Sequence, residues 1–300
     1  MTTLGREVAY PIRHQTGSFV SGDVSIFYRR LGKPGKPPLV FVHGLSYFSY
    51  DWLEAAAALG GDRECIAMDM RGFGDSTWSA GKDYSVPTMA QDIANLLDHL
   101  GCGSAVLVAH SMGGRSATYL AAKQPRRAAA LVLVDYSPEN APAGSKRVAQ
   151  TVAGAPDRFA SVEEAMRYFK LDPHSPQGQD KRARFEAYLK PVEGGFAIKR
   201  DPHLRDQFRK ALETGERPKP EVDMWPVLGE LRCPVLVIRG TRSDLFAAET
   251  VGKVTAANPH IRLAEVGAGH NVAAENPEGF LAALKPFLAS LEDNPEGLAA

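Results

Sequence analysis

Two patterns of hydrophobic and polar residues alternate along most of this chain: short unbroken apolar runs, and segments with apolar residues at helical spacing. Short apolar runs such as PPLVFVHG, RECIAMDM, SAVLVAH and AAALVLVD are typical of strands that are buried on both faces. Segments such as YDWLEAAAALG and PTMAQDIANLLDHLG lie between them and repeat apolar residues at helical spacing. An N-terminal hairpin is predicted to turn at Gly22 and Asp23. Strands alternating with helices predict an α/β fold with a mostly parallel, doubly wound sheet.

The alternation stops after the run ending at Asp135 and resumes with CPVLVIRG. The interruption contains helical patterns such as SVEEAMRYFKL and QDKRARFEAYLK but no good strand. A plain loop of this length is uncommon in a compact domain, so we predict a helical cap that folds over the sheet. We therefore divide the chain into a core (1–136 and 226–300) and a cap insertion (137–225), placed where open α/β sheets bind ligands.

Composition narrows the class of protein but does not indicate an activity. The 300 residues suffice for a substantial core, and 35 basic residues balance 35 acidic ones. A net charge of zero gives no long-range field to attract nucleic acid or an anionic membrane. The start, MTTLGREVAYPIRHQTG, lacks the apolar core of a signal peptide, and no apolar stretch is long enough to cross a membrane.

The three cysteines are widely spaced and fit no disulfide framework. Reduced thiols of this kind are typical of cytoplasmic proteins. We therefore expect a cytoplasmic protein that acts on a small molecule and binds neither nucleic acid nor a membrane. The sequence does not indicate an oligomeric state.

The segment VLVAHSMGGRSA carries the first candidate for chemistry. A predicted strand runs directly into a small residue (Ala109), then Ser111 and Gly113, and then a helix. Such a turn needs small neighbours because the backbone of the serine is strained. It presents the hydroxyl at a helix N-terminus, where free N–H groups and partial positive charge accumulate. The alternative is an ordinary glycine-containing turn, but the flanking strand and helix favour a nucleophile.

The segment LVFVHGLSYF follows the first buried strand with His43 and Gly44. This position would bring the backbone N–H of Leu45 close to Ser111, opposite the N–H of Met112. Two such donors can form an oxyanion hole for a tetrahedral intermediate. We predict that the His43 side chain packs within the turn and that the backbone supplies the chemistry.

His270 lies in a glycine-rich loop, VGAGHNVAAENP, between the last strand and the last helix. Its position predicts that it reaches the same edge of the sheet as Ser111. The chain order of serine, acid and histidine is the one expected for a serine on a nucleophile elbow. Ser111 would attack the substrate, and His270 would take its proton and return it to the leaving group.

Together, these segments resemble the α/β-hydrolase superfamily. The resemblance rests on AHSMGG around Ser111, on His43 and Gly44, on DMRGFGDS (69–76) and on GAGHNV (267–272). It covers nearly the whole chain apart from the insertion, whose position is similar to that of the helical cap in the family. The resemblance implies the α/β-hydrolase fold but not a substrate, because this fold supports many reactions.

The resemblance also implies a catalytic triad, in which an acid joins Ser111 and His270. Family members carry this acid after one of two strands. After the strand that follows the cap, the usual Gly-x-x-Asp position is Ser243 here, and Asp244 is displaced by one residue. One step along a strand or tight turn reverses the side-chain direction.

The other position for the acid is the end of the strand before the cap, and Asp135 lies there, 24 residues after Ser111. This spacing resembles haloalkane dehalogenases and some esterases, and those esterases often have serine where Ser243 stands. We favour Asp135 and keep Asp244 as the alternative.

A serine nucleophile argues against haloalkane dehalogenase and epoxide hydrolase chemistry, for which the relatives use a carboxylate. We expect a serine hydrolase that cleaves a carboxylic ester, thioester or lactone of a small, partly apolar substrate. The first alternative is an amide or C–C bond hydrolase of a catabolic pathway, because the VDYSP and KPVEGGF segments resemble such enzymes. The sequence is also compatible with a cofactor-free haloperoxidase or perhydrolase, and with a non-enzymatic receptor that has this fold.

Four residues are candidates for contact with the substrate. Tyr47 and Phe48 follow the oxyanion segment, and Trp225 is an aromatic residue at the end of the cap. Arg115 lies one helical turn after Ser111 and could meet a substrate carboxylate or form an internal ion pair. We predict no metal, because the histidines and cysteines lack ligand spacing. We also predict no cofactor, because LGKPGKP lacks the spacing and the strand-to-helix context of a phosphate-binding loop and the chain order offers no dinucleotide site.

Overall fold

The apolar runs form the strands of a computed structural model that describes residues 12–216 and 221–293. In chain order the strands are β1 (Gln15–Ser21), β2 (Val24–Gly32), β3 (Lys36–Val42), β4 (Arg63–Met68), β5 (Ala105–His110), β6 (Ala128–Val134), β7 (Leu189–Val192), β8 (Gly195–Ile198), β9 (Val235–Gly240) and β10 (Ile261–Val266). Eight of them form one sheet in the order β1-β2-β4-β3-β5-β6-β9-β10. The pairs β1–β2 and β2–β4 are antiparallel and the other neighbours are parallel. This arrangement confirms the predicted mostly parallel sheet.

The helices cover both faces of this sheet. They are α1 (Leu53–Leu59), α2 (Val86–His99), α3 (Met112–Lys123), α4 (Pro142–Ala153), α5 (Val162–Tyr168), α6 (Pro176–Tyr188), α7 (Pro202–Thr214), α8 (Met224–Gly229), α9 (Ala248–Ala257), α10 (Val272–Glu275) and α11 (Pro277–Glu292). Short 3-10 turns occupy Ser49–Trp52 and Pro125–Arg127. Apolar residues of α2 and α3 pack on one face, and those of α1 and α11 pack on the other.

The central strands explain why the apolar runs are unbroken. Every residue of β5 and of β6 is buried. Within β5, Leu107 packs into one core cluster, whereas Val106 and Val108 pack into the cluster on the opposite face. Because successive side chains point to opposite faces, a strand covered by helices on both sides needs apolar residues at every position. Because these strands are parallel, their carboxyl ends lie at one edge of the sheet. The loops after β3, β5, β6, β9 and β10 therefore meet at this edge.

The segment between β6 and β9 contains α4 to α8 and also a two-stranded antiparallel ribbon of β7 and β8. The ribbon contradicts our expectation that the insertion has no strand. Its strands are short, contain Pro191 and are mostly half-buried or exposed, so they lack the apolar pattern of a core strand. Helices α5 and α6 share a small apolar cluster with the ribbon. The predicted boundary between residues 225 and 226 falls inside α8, and the domain division stays a prediction.

Two predictions from the sequence concern a signal peptide and membrane-spanning helices. Residues 1–11, which form most of the segment that we predict lacks a signal peptide, lie outside the described residues. Among the helices of residues 12–216 and 221–293, none combines the length and the apolar character needed to span a membrane.

Candidate active site

Ser111 occupies a strained turn between β5 and α3. Its backbone has φ 51° and ψ −116°, a conformation that non-glycine residues rarely adopt. The N–H of Ser111 donates to the carbonyl of Val134 at 3.1 Å, which fixes the turn to the end of β6. A Cβ atom on Gly113 would lie 2.5 Å from the carbonyl oxygen of His43. Glycine is therefore required at position 113 for α3 to approach the end of β3.

His270 connects Ser111 to Asp135 through both nitrogens of its ring. Its Nε2 lies 3.0 Å from Ser111 Oγ, and its Nδ1 lies 2.6 Å from Asp135 Oδ2. A carboxylate at Nδ1 assigns the ring proton to that nitrogen, which leaves Nε2 free to accept the hydroxyl proton. This chain of hydrogen bonds can move a proton away from Ser111 and return it.

Asp135 is held at the end of β6 by contacts from β9 and the loop that follows it. Only 2% of its surface is exposed. The N–H of Gly240 donates to Oδ1 at 2.9 Å, and the hydroxyl of Ser243 donates to Oδ2. The hydroxyl oxygen of Ser243 in turn accepts N–H groups from Leu245 and Phe246. Ser243 therefore orients the carboxylate that contacts His270.

The loop that carries His270 packs tightly against β9. A Cβ atom on Gly240 would lie 2.1 Å from the carbonyl oxygen of Gly269, so this approach requires glycine. Glu275 accepts the N–H of Gly269 at 2.6 Å and the N–H of Asn271 at 3.3 Å. These contacts position the histidine from both sides.

Asp244, the alternative acid, is hydrogen-bonded to the insertion and not to His270. Its carboxylate accepts two hydrogen bonds from the guanidinium of Arg147 on α4, at 2.5 and 2.8 Å. The Arg147 guanidinium holds the pKa of Asp244 below its usual range. Asp244, displaced by one residue from the position of Ser243, therefore has Arg147 as its hydrogen-bond partner, whereas Ser243 donates to Asp135.

Leu45 and Met112, the two predicted backbone donors, both lie in segments next to Ser111. Met112 is the first residue of α3, so its N–H has no partner within the helix. Leu45 lies in a turn closed by a hydrogen bond from Tyr47 N–H to the carbonyl of Gly44 at 3.2 Å, which leaves the N–H of Leu45 outside that bond. A Cβ atom on Gly44 would lie 3.1 Å from the Cβ of Ser111. Leu45, Met112 and Ser111 all line the same cleft, and an oxyanion hole formed by the two N–H groups stays a prediction.

Two other histidines near the site are structural. His43 is buried, contacts the carbonyl of Gly44 at 2.8 Å and accepts the N–H of Met70 at 2.9 Å. His110 contacts the carbonyl of His270 at 3.0 Å. Burial lowers the pKa of both side chains, most strongly for His110, which keeps them neutral. They therefore support the loops that carry Leu45 and His270.

Ser111 and His270 open into a cleft of about 1840 Å³ that is shared by the sheet edge and the insertion. Tyr47 lines this cleft, and burial raises the pKa of its hydroxyl to about 12. The insertion contributes several aromatic side chains to the wall: Tyr168, Phe169 and Phe185. The lining of the cleft is thus partly apolar.

The structure places two of the predicted substrate contacts outside the cleft. Phe48 is fully buried, and its ring packs against Tyr50 and Tyr188 below the cleft. Trp225 lies on α8 and packs against the core next to α3 and α9, so it is not among the described residues that line the cleft. Arg115 does line the cleft and is half-buried.

The sequence reasoning missed two arginines of the insertion that hold the turn next to Leu45. Arg184 forms a double hydrogen bond with Asp51 at 2.7 and 2.9 Å, and its Nη2 lies 3.5 Å from the carbonyl of Ser46. Arg200 donates to the hydroxyl of Ser46 at 3.0 Å. Ser46 has a positive φ of 67°. No spacing in the sequence links residues 184 and 200 to this turn, because the contact forms only when the insertion folds over it.

Residues 12–216 and 221–293 contain no group of three or more histidine, cysteine, aspartate or glutamate side chains that could hold a metal ion. The groups around Ser111 can supply nucleophilic attack by a hydroxyl, proton transfer through an imidazole and stabilisation of an anion by backbone N–H groups.

Comparisons with known proteins agree with this geometry. A family model described as the alpha/beta hydrolase fold matches residues 37–277. The chain is 32% identical over 254 residues to a 3-hydroxybutyrate-oligomer hydrolase of Cupriavidus necator, covering 80% of this chain and 84% of that protein. It is 30% identical over 262 residues to the sn-1-specific diacylglycerol lipase ABHD11 of Mus musculus, covering 84% and 81%.

A solved structure supports the same assignment. The crystal structure of E-2-(acetamidomethylene)succinate hydrolase superposes with a TM-score of 0.80 at 26% sequence identity. The superposition covers 92% of this chain and all of the other chain. The match of the family model extends over most of the chain and includes Ser111, Asp135 and His270. This chain belongs to the alpha/beta hydrolase family of enzymes.

Proposed function

We propose that the protein is a serine hydrolase that cleaves a carboxylic ester, thioester or lactone through an acyl-serine intermediate. The observation that carries this proposal is the continuous hydrogen-bond chain from Ser111 through His270 to Asp135. A hydroxyl is a weak nucleophile, and an adjacent base oriented by a third group is the arrangement that activates it.

In the first half of the reaction, Nε2 of His270 takes the proton of Ser111 while Oγ attacks the substrate carbonyl. Asp135 stabilises the imidazolium that forms and keeps the ring in position. The N–H groups of Leu45 and Met112 donate to the developing oxyanion. His270 then gives its proton to the leaving group, and the acyl group stays on Ser111.

The second half of the reaction repeats these steps with water. His270 removes a proton from a water molecule, which attacks the acyl-serine carbonyl. The same two backbone donors stabilise the second tetrahedral intermediate. Collapse of that intermediate releases the acid and returns the proton to Ser111.

We propose a small, partly apolar substrate, and the aromatic lining of the cleft supports its apolar character. Tyr47 and aromatic side chains of the insertion line the cleft that contains Ser111. The likeness to a 3-hydroxybutyrate-oligomer hydrolase supports an ester as the bond that is cleaved. A second candidate is amide hydrolysis, which the likeness to an acetamidomethylene succinate hydrolase supports.

A labelling experiment combined with a substrate panel tests the proposal. We expect a fluorophosphonate probe to label the wild-type protein at Ser111, and the Ser111→Ala variant to stay unlabelled. We expect turnover of nitrophenyl esters, thioesters or lactones to exceed turnover of matched nitroanilides by at least about tenfold. Faster anilide hydrolysis would support the amidase instead, and a wild-type protein that resists the probe would support a receptor.

The contact between Arg184 and the Ser46 turn gives a further prediction. Replacing Arg184 with methionine should lower kcat roughly 10-fold to 100-fold with a smaller change in KM, because a displaced turn misplaces the N–H of Leu45. The control is Arg182→Met on the same helix, whose arginine pairs with Glu163 outside the cleft. Steady-state kinetics and thermal unfolding of both variants measure the two effects.

Loss of the ion pair with Asp51 could also destabilise the Arg184 variant. The double variant Arg184→Met/Asp51→Asn removes the unpaired carboxylate but does not restore the contact with Ser46. We expect it to regain most of the Tm and not the kcat. Recovery of kcat along with Tm would contradict a role for Arg184 in positioning the oxyanion hole.

The proposal includes a small-molecule substrate and a cytoplasmic location. Cys65, Cys102 and Cys233 are all unpaired thiols. Burial raises the pKa of Cys65 to about 12 and the pKa of Cys233 to about 11, so neither thiol competes with Ser111 as a nucleophile. Unpaired thiols support a reducing compartment.

A further inference from the structure

We infer that Arg115 binds a carboxylate of the substrate, so that the preferred acyl group ends in a free acid. This inference rests on the proposed serine hydrolase function and adds a substrate class to it. The substrate would be a monoester of a short dicarboxylic acid, or a similar ester with a carboxylate on its acyl side. Its scissile carbonyl would lie at Ser111 and its carboxylate at Arg115.

The first argument is the position of Arg115 on α3. It lies in the first turn of α3, four residues after Ser111, which is the residue immediately before this helix. Both side chains line the same cleft. A ligand whose carboxylate binds Arg115 would therefore place a carbonyl group that is a few bonds from this carboxylate next to Ser111.

The second argument is the charge balance in the cleft. The guanidinium of Arg147 pairs with Asp244, the guanidinium of Arg184 pairs with Asp51, and Asp135 contacts His270. In the part of the chain that the structure describes, Arg115 has no acidic side chain within the 4.0 Å limit of an ion pair. The carboxylates of Asp244 and Asp51 are thus paired with other arginines, and the guanidinium of Arg115 has no carboxylate partner among the described residues.

The third argument is the neighbour that Arg115 does have. Tyr136 is buried with 4% of its surface exposed, and burial raises the pKa of its hydroxyl despite the opposing effect of Arg115. The phenol therefore stays neutral and cannot act as a counter-ion. A half-buried guanidinium without an anionic partner loses hydration that a ligand carboxylate can replace.

Two other cations line the cleft without an acid partner in the described residues, Arg13 and Lys170. Both side chains are exposed, so water screens any attraction to a ligand. Arg115 differs because it is half-buried and lies on the nucleophile's helix. Its planar guanidinium can also donate two parallel hydrogen bonds to one carboxylate, which fixes the orientation of the ligand.

A matched pair of substrates tests this inference. One is mono-4-nitrophenyl glutarate, which carries the free acid, and the other is its methyl ester, which has the same chain without the charge. We expect Arg115→Met to lower kcat/KM for the free acid roughly 10-fold to 100-fold, mainly through KM. The neutral ester should change less than about threefold, and Arg115→Lys should keep part of the preference. Lys170→Met, which removes an exposed cation of the same cleft, is the control.

Binding of glutarate itself gives a readout that does not depend on turnover. Glutarate should raise the Tm of the wild-type protein and of Lys170→Met but not that of Arg115→Met. Equal losses for the two esters, or equal Tm shifts with and without Arg115, would overturn the inference. If neither ester is hydrolysed and the fluorophosphonate probe does not react, the proposed function fails, and the Tm shift still decides whether Arg115 binds a carboxylate.

Discussion

Replacing Ser111 with alanine is expected to lower kcat for the preferred ester by roughly 10⁶-fold. The proposed mechanism forms the acyl intermediate on Oγ, and alanine has no atom that can replace it. His270 would keep its contact with Asp135 but would have no hydroxyl to deprotonate. The residual rate would come from substrate binding and from the N–H donors of Leu45 and Met112.

The loss should not come from unfolding. Alanine keeps the Cβ atom of serine, so it meets the same backbone conformation at φ 51° with no new clash. Tm should therefore stay close to that of the wild type. Ser145→Ala is the matched control, since Ser145 is half-buried and lines the same cleft. Single-turnover assays measure the residual rate, and a variant that kept about a hundredth of the wild-type rate would identify a different nucleophile.

The sequence predicts the sheet and the nucleophile turn because their signals are local. An unbroken apolar run is sufficient for β5, since the strand is covered on both faces. The small residues around Ser111 are required by the turn itself, as the 2.5 Å approach at Gly113 illustrates. These features depend on neighbours in the chain, and a single sequence carries that information.

The insertion is harder to predict because its contacts join distant parts of the chain. The ribbon of β7 and β8 lacks a core pattern, since it packs against α5 and α6 and not into the main sheet. Phe48 and Trp225 are aromatic residues near predicted site segments, yet packing takes both of them into apolar layers. Nearness in sequence to a site therefore does not predict exposure to the substrate.

Pairing between charges is the other feature that the sequence does not determine. Arg184 belongs to the charged segment QDKRARFEAYLK, where its spacing indicates only a solvated helix face. In the fold it pairs with Asp51 and contacts the Ser46 turn. Arg115 has two interpretations in the sequence, a substrate contact or an internal ion pair. The described structure contains no ion pair for Arg115, and this is why its position on α3 supports a hypothesis about substrate class.

The choice between two acids gives the second large expected effect. Asp135→Asn should lower kcat about 10⁴-fold, because an amide can donate a hydrogen bond to Nδ1 and so favour the wrong tautomer of His270. The side chain is similar in size, and Gly240 N–H can still donate to its oxygen. The fold should therefore persist, which far-UV circular dichroism and Tm measurements would verify.

Asp244→Asn is the matched control, since it makes the same chemical change at the alternative acid. It removes half of an ion pair with Arg147 in which both side chains are well exposed, 52% for the arginine and 38% for the aspartate. Such a pair contributes at most about 1 kcal/mol, and we expect kcat to change less than about threefold. A reversed result, in which Asp244→Asn loses several orders of magnitude and Asp135→Asn does not, would assign the triad's acid to Asp244.

Combining the substitutions tests whether Asp135 acts through Ser111 and His270. Groups that work as one unit lose their effect once another member is removed. In the Ser111→Ala background, Asp135→Asn should therefore lower the residual rate by less than about threefold, although it costs about 10⁴-fold alone. A full loss in that background would mean that Asp135 contributes independently of the serine. The hydrogen bonds from Ser243 and Gly240 to Asp135 do not involve the nucleophile. They would then hold a carboxylate whose role differs from that of a triad acid.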